Sequence, residues 1–422
     1  MPLYKSLETA FIGIMKEFLK KIPKSDLHVH LDGSVRVGTL AELAKKQKLK
    51  LPSYTVDGLN KLLFKDQYES LVDYLQCFGS TIPVMQTPEN LERISYEFAQ
   101  DNINEGVCYV EVRFAPQFHV GKKMDFEKTL QSVSKGMERA QKEYNNNPKV
   151  KSGELPPFCF GIIVCAMRAF GRGFSQYFDT FLDAHVYSEP KMIHALASYE
   201  LAKACVHTRD KLGIPIVGFD LAGAEAGNPA EDHKPAYQFA HKHFLHATVH
   251  AGEAYGPESI FQAITDLYAD RVGHGYYLFA DDKVTDPEIK NPKAYVRQLA
   301  QYIADRRITI EVCLTSNLQT NPSIGDISKH QFAKMLEAKL STTLCTDNRT
   351  VSKTSVTKEI TLAMKNFNLK GDALKDLLVY GFKRSFFPGT YAEKRKYVRG
   401  VIDRYELVEK EYNKRAAAKK KG

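Results

Sequence analysis

A chain of 422 residues exceeds one average domain, and with 43% apolar and 26% charged residues it can bury a sizeable core, which excludes a disordered polypeptide. The formal net charge of +9 suggests a nucleic-acid binder, but Lys414, Arg415, Lys419, Lys420 and Lys421 sit in an acid-free tail, and without those five the excess is +4. That is ordinary surface charge, so no nucleic-acid partner is expected, and no run reaches the ~18 to 20 apolar residues of a membrane span.

Residues 1–21 carry Glu8 and Glu17 inside an apolar pattern, without a small-residue cleavage site, and read as an amphipathic helix in place of a signal peptide. DLHVH (26–30) is the first strand. A long segment (31–106) follows, in which Leu71, Leu75 and Phe78 share one helical face, as core or as an apolar gate, before a helix over 88–106 that ends at Gly106. Then come strands VCYVEVRFA (107–115), FCFGIIVCAM (158–167), PIVGFDLAG (215–223), HATVHAG (246–252), RVGHG (271–275), ITIEVCLTS (309–316) and STTLCTD (341–347). Helices over 125–144 and 194–213, the latter ending at Gly213, and a polar Pro/Asn loop at 145–157 lie between them. Residues 401–422 form a C-terminal helix with a solvated basic tail. His241, His243 and His246 read as surface or packing residues. The seven cysteines include no CxxC pair, and Cys108, Cys159, Cys165, Cys313 and Cys345 sit in apolar runs. This favours a reducing, cytoplasmic setting over a disulfide framework.

Eight strand-helix alternations predict an α/β fold, a (β/α)8 TIM barrel with additional helices inserted after the first strand and at both termini. It is read as one domain over 1–422, with the barrel at about 22–400. An open doubly wound sheet shares this local grammar. The strand ends favour the barrel: His28, His30, Arg113, Asp220, His250, His274, Asn317 and Asp347 each close a strand or follow one, and a barrel gathers such ends on one face. No GxGxxG or GxxxxGK[ST] signals a nucleotide-binding open sheet.

In HVHLDG, His28 and His30 are two apart and present both imidazoles on one side of a strand, as a metal pair or as two half-buried histidines bonded to backbone. The neighbours favour the metal. HAGE ends a strand with His250 and adds Glu253, RVGHG sets His274 between glycines, and CTDN ends at Asp347. Imidazoles with one carboxylate suit zinc with a position left for water, and metal-bound water is acidified to pKa ~7. Glu253 is placed to donate a proton.

The runs DLHVHLDGS, DLAGAE, HAGE, RVGHG, TSN and TDN, in this order from about residue 22 to about 355, resemble the adenosine deaminase family of metal-dependent (β/α)8 barrels. The resemblance implies one Zn2+ per chain, held by His28, His30, His250 and Asp347. It implies that Glu253 protonates purine N1 and that His274 orients and helps deprotonate the attacking water. Gly223 would meet purine N3 through its backbone N–H, and Asp32 would take a ribose hydroxyl. The reaction implied is hydrolytic deamination of adenosine or 2′-deoxyadenosine to the 6-oxo nucleoside and ammonia, in purine salvage, by hydroxide on the metal attacking C6.

The family usually has two adjacent aspartates where this chain has Asp347-Asn348, and a proline where it has Arg349. This TDN variant offers purine N7, an acceptor, the amide donor of Asn348. Rival readings are deamination of AMP, adenine or aminofutalosine. A phosphate would need a basic cluster that Asp32 opposes. Two-metal amidohydrolases use a carboxylated lysine, and no strand here ends in a well-placed one. A scaffolding relative would have lost some ligands. The separate H-x-E…P-C-x-x-C deaminase signature is absent. Glu111 and Arg113, alternating along one strand, predict a buried ion pair that braces the barrel.

Overall fold

Apolar runs without polar alternation form strands covered on both faces, and eight such strands build the centre of the protein. The computed structural model describes residue 13 and residues 15–421, with side chains through residue 418. The strands are β1 (Lys24–His30), β2 (Val107–Phe114), β3 (Cys159–Met167), β4 (Ile216–Ala222), β5 (His246–Ala251), β6 (Arg271–His274), β7 (Thr309–Val312) and β8 (Ser341–Leu344). All neighbours are parallel and pair in sequence order. The ring closes where His30 N donates to Asp347 O (2.7 Å) and Asp347 N to His28 O (2.8 Å).

Outward-facing Val110, Val112, Ile162, Val164, Ile310 and Val312 join the main core beneath the helices. The inward faces carry buried charges among apolar residues such as Ile163 and Cys165. Arg113 of β2 bonds Asp220 of β4 and Glu311 of β7, both at 3.0 Å, and such bonds between non-neighbouring strands cross the barrel interior. Arg271 continues the chain of charges to Glu311 (2.6 Å) and to Glu111. Both Glu111 and Arg113 are thus in buried ion pairs, as their alternation predicts.

The segment after β1 carries helices Val37–Lys46, Val56–Leu62, Leu71–Leu75, Phe78–Thr81 and Pro88–Asn104. The face expected of Leu71, Leu75 and Phe78 is split between two short helices. The strand expected to run to 316 ends at Val312, where helix Leu314–Thr320 begins. The 145–157 loop contains a short helix, Pro148–Lys151, and the C-terminal helix begins at Tyr391 and runs through Lys421, so the basic tail is helical and not a loose end. The helix expected over 1–21 lies partly outside the described residues. Residues 15–21 of it are helical, and Phe18 there packs on Tyr405 and Tyr412 of the C-terminal helix. Lys24 Nζ, at the start of β1, donates to Leu19 O (2.5 Å) and Ile22 O (3.0 Å), satisfying carbonyls at that helix end. The seven cysteines are all free thiols. Among the described residues no helix is long and apolar enough to cross a membrane.

Three histidines outside the strand ends are buried: His119, His233 and His330. Burial pushes each imidazole down to about 3. In the unfolded chain they return to ~6.5, so unfolding takes up protons below that pH. This part of the stability is intact above pH ~6.5 and is lost as pH falls toward 3. His233 shares a 2.7 Å hydrogen bond with Ser198 Oγ, which Gln can replace. In urea titrations, His233→Gln should lose about 2 kcal/mol less between pH 7 and pH 5 than the parent does. Parallel losses would mean that His233 is already charged in the folded protein.

Candidate active site and metal centre

The strand ends converge at one mouth of the barrel. Potential ligand atoms of His28, His250, His274 and Asp347 all lie within 4.8 Å of one another, and all four residues are buried. His28 stands at the centre, its ring 4.5 Å from that of His250 and 4.9 Å from that of His274. His30 approaches from the open side, its Nε2 3.2 Å from His250 Nε2 and 3.4 Å from Asp347 Oδ1. Five groups thus meet where four ligands are expected from sequence: His274, expected to handle water, falls within the tight quartet, and His30, expected as a ligand, lies at its edge.

The outer shell prepares this set for a cation. His28 Nδ1 lies 2.9 Å from Glu311 Oε2, and His250 Nδ1 lies 3.0 Å from Asp220 Oδ2. Burial alone would raise both carboxyls, but Arg113 and Arg271 hold Glu311 well below the usual carboxylate range, and His250 with Arg113 does so for Asp220. Two ionised acceptors require N–H at each Nδ1, which leaves the Nε2 lone pairs of His28 and His250 facing the centre. His28 Nε2 is buried with no hydrogen-bond partner, as a waiting ligand atom would be. Against its burial, Asp347 is held well below its ordinary value by His28 and the neighbouring imidazoles, and its Oδ2 accepts from Ser316 Oγ at 2.7 Å. Three imidazoles and a carboxylate are the donors that suit zinc.

Glu253 sits beside the quartet, its Oε2 3.6 Å from His274 Nε2. Burial first, then the charges of Asp347 and Glu225, push its carboxyl well above the ordinary value. Burial also drives His274 well below its own, so the imidazole is neutral. Asp32 is pushed up to about 7 by burial.

Above these groups opens a cavity of about 670 Å³ with no lysine or arginine in its lining. Its floor includes His30, Asp32, Gly223, His250, Glu253, His274, Asp347 and Asn348. Leu71, Leu75 and Phe78, and Phe118, Phe170 and Phe174, supply much of its apolar lining. Gly223, in the cavity lining, has φ +98°, a conformation that favours glycine. Asn348 Nδ2 donates to Tyr74 OH at 2.8 Å, while its Oδ1 is buried without a partner. His241 and His246 lie away from this mouth, the one bonded to Leu267 O and the other stacked on Phe386.

The family model "Adenosine deaminase" matches residues 23–404. An adenosine deaminase of Mycobacterium avium is 33% identical over 374 residues, covering 88% of this chain and 92% of that protein. The chain belongs to the adenosine deaminase family. Adenosine deaminase 1 of Streptomyces coelicolor is also 33% identical, over 375 residues, covering 88% of this chain and 84% of that one. Among solved structures, a zinc-bound amidohydrolase from Burkholderia ambifaria aligns with TM-score 0.74 at 18% identity, covering 95% of each chain. The N6-methyl-AMP deaminase of Arabidopsis thaliana aligns with TM-score 0.68 at 24% identity, covering 92% of this chain and 98% of that one. At these identities the structural likeness is one of fold, the eight-stranded parallel barrel.

The protein is therefore a hydrolase of the adenosine deaminase family with a buried His/His/His/Asp metal site. Sequence reasoning missed the residues that hold this site in shape. Glu225 accepts from the backbone N–H groups of Gly252 (2.8 Å), Glu253 (3.0 Å), Ala254 (2.7 Å) and Tyr255 (2.9 Å), and from Ser259 Oγ, so one carboxylate fixes the loop that carries Glu253. Arg168 donates to His250 O at 2.6 Å. Glu225 ends the DLAGAE run, but nothing in that run names its partners.

Gly33 follows Asp32, and a Cβ there would stand 1.7 Å from Asn348 Oδ1 and 2.5 Å from its Cγ. Gly33→Ala must displace the Asn348 amide from the cavity wall. At about 1–3 kcal/mol for such overpacking, substrate KM should rise about five-fold or more with bound metal retained. Steady-state kinetics with an unchanged KM would show that Asn348 takes no part in binding.

Proposed function

We propose that this enzyme hydrolyses adenosine and 2′-deoxyadenosine to inosine or 2′-deoxyinosine plus ammonia, as a step of purine salvage. One zinc ion per chain would be held by His28, His30, His250 and Asp347. Zinc is supported by the donor set, by the unpartnered Nε2 of His28 and by the zinc in the Burkholderia relative. When bound, it supplies a water molecule acidified enough to act as nucleophile near neutral pH.

The chain's own residues do the rest. Glu253, kept protonated by its surroundings, gives its proton to purine N1 as C6 becomes tetrahedral, so that charge does not build on the ring. His274 orients the attacking water. Gly223 N–H meets N3, the Asn348 amide meets N7 and Asp32 takes a ribose hydroxyl. The apolar walls exclude bulk water from the reacting carbon and stack on the purine.

The observation that carries this reading is the placing of the buried Glu253 carboxyl beside a metal-ligand set in a cavity whose lining has no lysine or arginine. A nucleotide would bring its phosphate dianion to walls with no lysine or arginine and with Asp32 among them, and free adenine would leave much of the cavity unfilled. The fold shared with the Arabidopsis N6-methyl-AMP deaminase makes a purine nucleotide the comparison of choice.

The test is the change in purine absorbance with adenosine, 2′-deoxyadenosine, AMP and adenine, with and without a chelator. The nucleosides should turn over fastest, and the chelator should abolish the reaction. Faster turnover of AMP would move the reading to a nucleotide, and no turnover of any of the four by zinc-loaded protein would refute it. Glu253→Gln should keep its zinc and lose about 10²- to 10⁴-fold in kcat. Full activity in that variant would remove Glu253 from its role.

A further inference from the structure

Three hydrogen bonds lead from outside the barrel to His274, and their directions are set from the outer end. The backbone N–H of Phe332 points at His330 Nδ1 at 3.0 Å. A backbone amide only donates, so Nδ1 accepts, and the single hydrogen of a neutral His330 is on Nε2. That Nε2 is 3.2 Å from Asn317 Oδ1. With its oxygen accepting there, Asn317 turns its NH2 group toward His274, and Nδ2 lies 3.1 Å from His274 Nδ1. His274 therefore accepts at Nδ1. A neutral imidazole that accepts at Nδ1 carries its hydrogen on Nε2, the atom facing Glu253. All three relay residues are buried, and an imidazole whose Nδ1 accepts a hydrogen bond carries at most one hydrogen, on Nε2.

The contrast with the other histidines is sharp. His28 and His250 give their Nδ1 hydrogens to Glu311 and Asp220 and so offer lone pairs at Nε2. His274 receives a hydrogen at Nδ1 and so offers N–H at Nε2. One centre thus holds imidazoles of opposite tautomers, each set by what stands behind it.

We propose that Asn317 and His330 are positioning residues that hold His274 in its Nε2–H tautomer, which keeps it out of the ligand set and makes it a hydrogen-bond donor to the attacking oxygen. What the donor serves rests on the deaminase reading; the tautomer does not. His274 then orients the nucleophile and steadies the oxygen at C6 as a donor, in place of the help with deprotonation that the family resemblance implies, and the ligand places fall to His28, His30, His250 and Asp347.

In zinc-loaded protein labelled with 15N at histidine, long-range 1H–15N correlations should show His274 protonated at Nε2 and bare at Nδ1, its signals assigned by their loss in a His274→Gln sample. A bare Nε2 would overturn the proposal, whether or not the protein turns over adenosine. His330→Leu should lower kcat for adenosine about ten-fold or more, as loss of a tautomer-fixing partner does elsewhere, with KM and zinc content unchanged. His330→Gln, whose amide can both accept from Phe332 and donate to Asn317, should recover most of that loss. Full kcat in the leucine variant, or equal loss of kcat in both variants, would reduce the relay to packing. Parent activity on adenosine is measured first: an inactive parent refutes the deaminase reading, whereas a failed relay leaves an active one.

Discussion

The site depends on two carboxylates, Asp220 and Glu311, kept ionised in the barrel interior. Burying a charge costs several kcal/mol unless geometry and pairing are nearly complete. Arg113 supplies that pairing by reaching both carboxylates at 3.0 Å and anchoring itself on Leu27 O at 2.6 Å. Arg271 and Thr248 take the other oxygen of Glu311. A lysine could not fork between two partners in this way. Apolar residues of similar volume would often be as stable as such a network, so its value lies in direction: each carboxylate fixes one imidazole and points its free nitrogen at the same place.

The loops beyond the strands follow a related rule. Loops at a barrel mouth lack a sheet to hold them and are normally its most mobile part, while catalytic groups need placement to within about 0.5 Å. Each of three loops is tied by a buried or half-buried carboxylate. Glu225 gathers the chain after β5. Glu359 accepts from Thr315 N and Oγ1, fixing the turn after β7 that presents Ser316 and Asn317. Glu105 takes Arg349 and the N–H of Thr357, holding the segment after β8. The carboxylates do for backbone amides what a neighbouring strand would do, without excluding substrate.

Much of this was legible in the sequence, for a reason that also explains what was not. Strands carry their period locally, so eight apolar runs with polar ends indicated the barrel and the cluster at its mouth. Side-chain partners are non-local: Arg113 meets residues 107 and 198 positions away, so its ion pair could be expected but not its partners. The run ITIEVCLTS reads as strand throughout, because an apolar stretch does not reveal where a chain turns. The turn into helix Leu314–Thr320 is what brings Ser316 to Asp347 and Asn317 to His274. Leu71, Leu75 and Phe78 have helical spacing, yet their helix breaks and their side chains line a cavity as well as packing on the core. Of the relay, Asn317 stands in the TSN run, but nothing there names His330 as its partner, since the link is made by one backbone amide and two side chains from separate elements.

Backbone conformation ties the barrel's closure to its chemistry. His274 and Asp347 have φ of +63° and +58°, a region that costs a bulky residue about 1–3 kcal/mol. For Asp347 the seam enforces it: its N–H and C=O make the two backbone hydrogen bonds that join the end of β8 to β1. Thr346, one residue earlier, adds its Oγ1 to Asp26 Oδ2 at 2.5 Å. With the backbone pinned on both sides, a left-handed turn is what sends the carboxylate inward beside His28 and His30 instead of onward along the strand. The seam is also where the ladder is thinnest, so a cation held by residues of β1, β5 and the end of β8 would bridge the least-supported joint of the ring. The strain at Asp347 and the closing of the barrel are consequences of one arrangement, in which the last strand meets the first at the metal site.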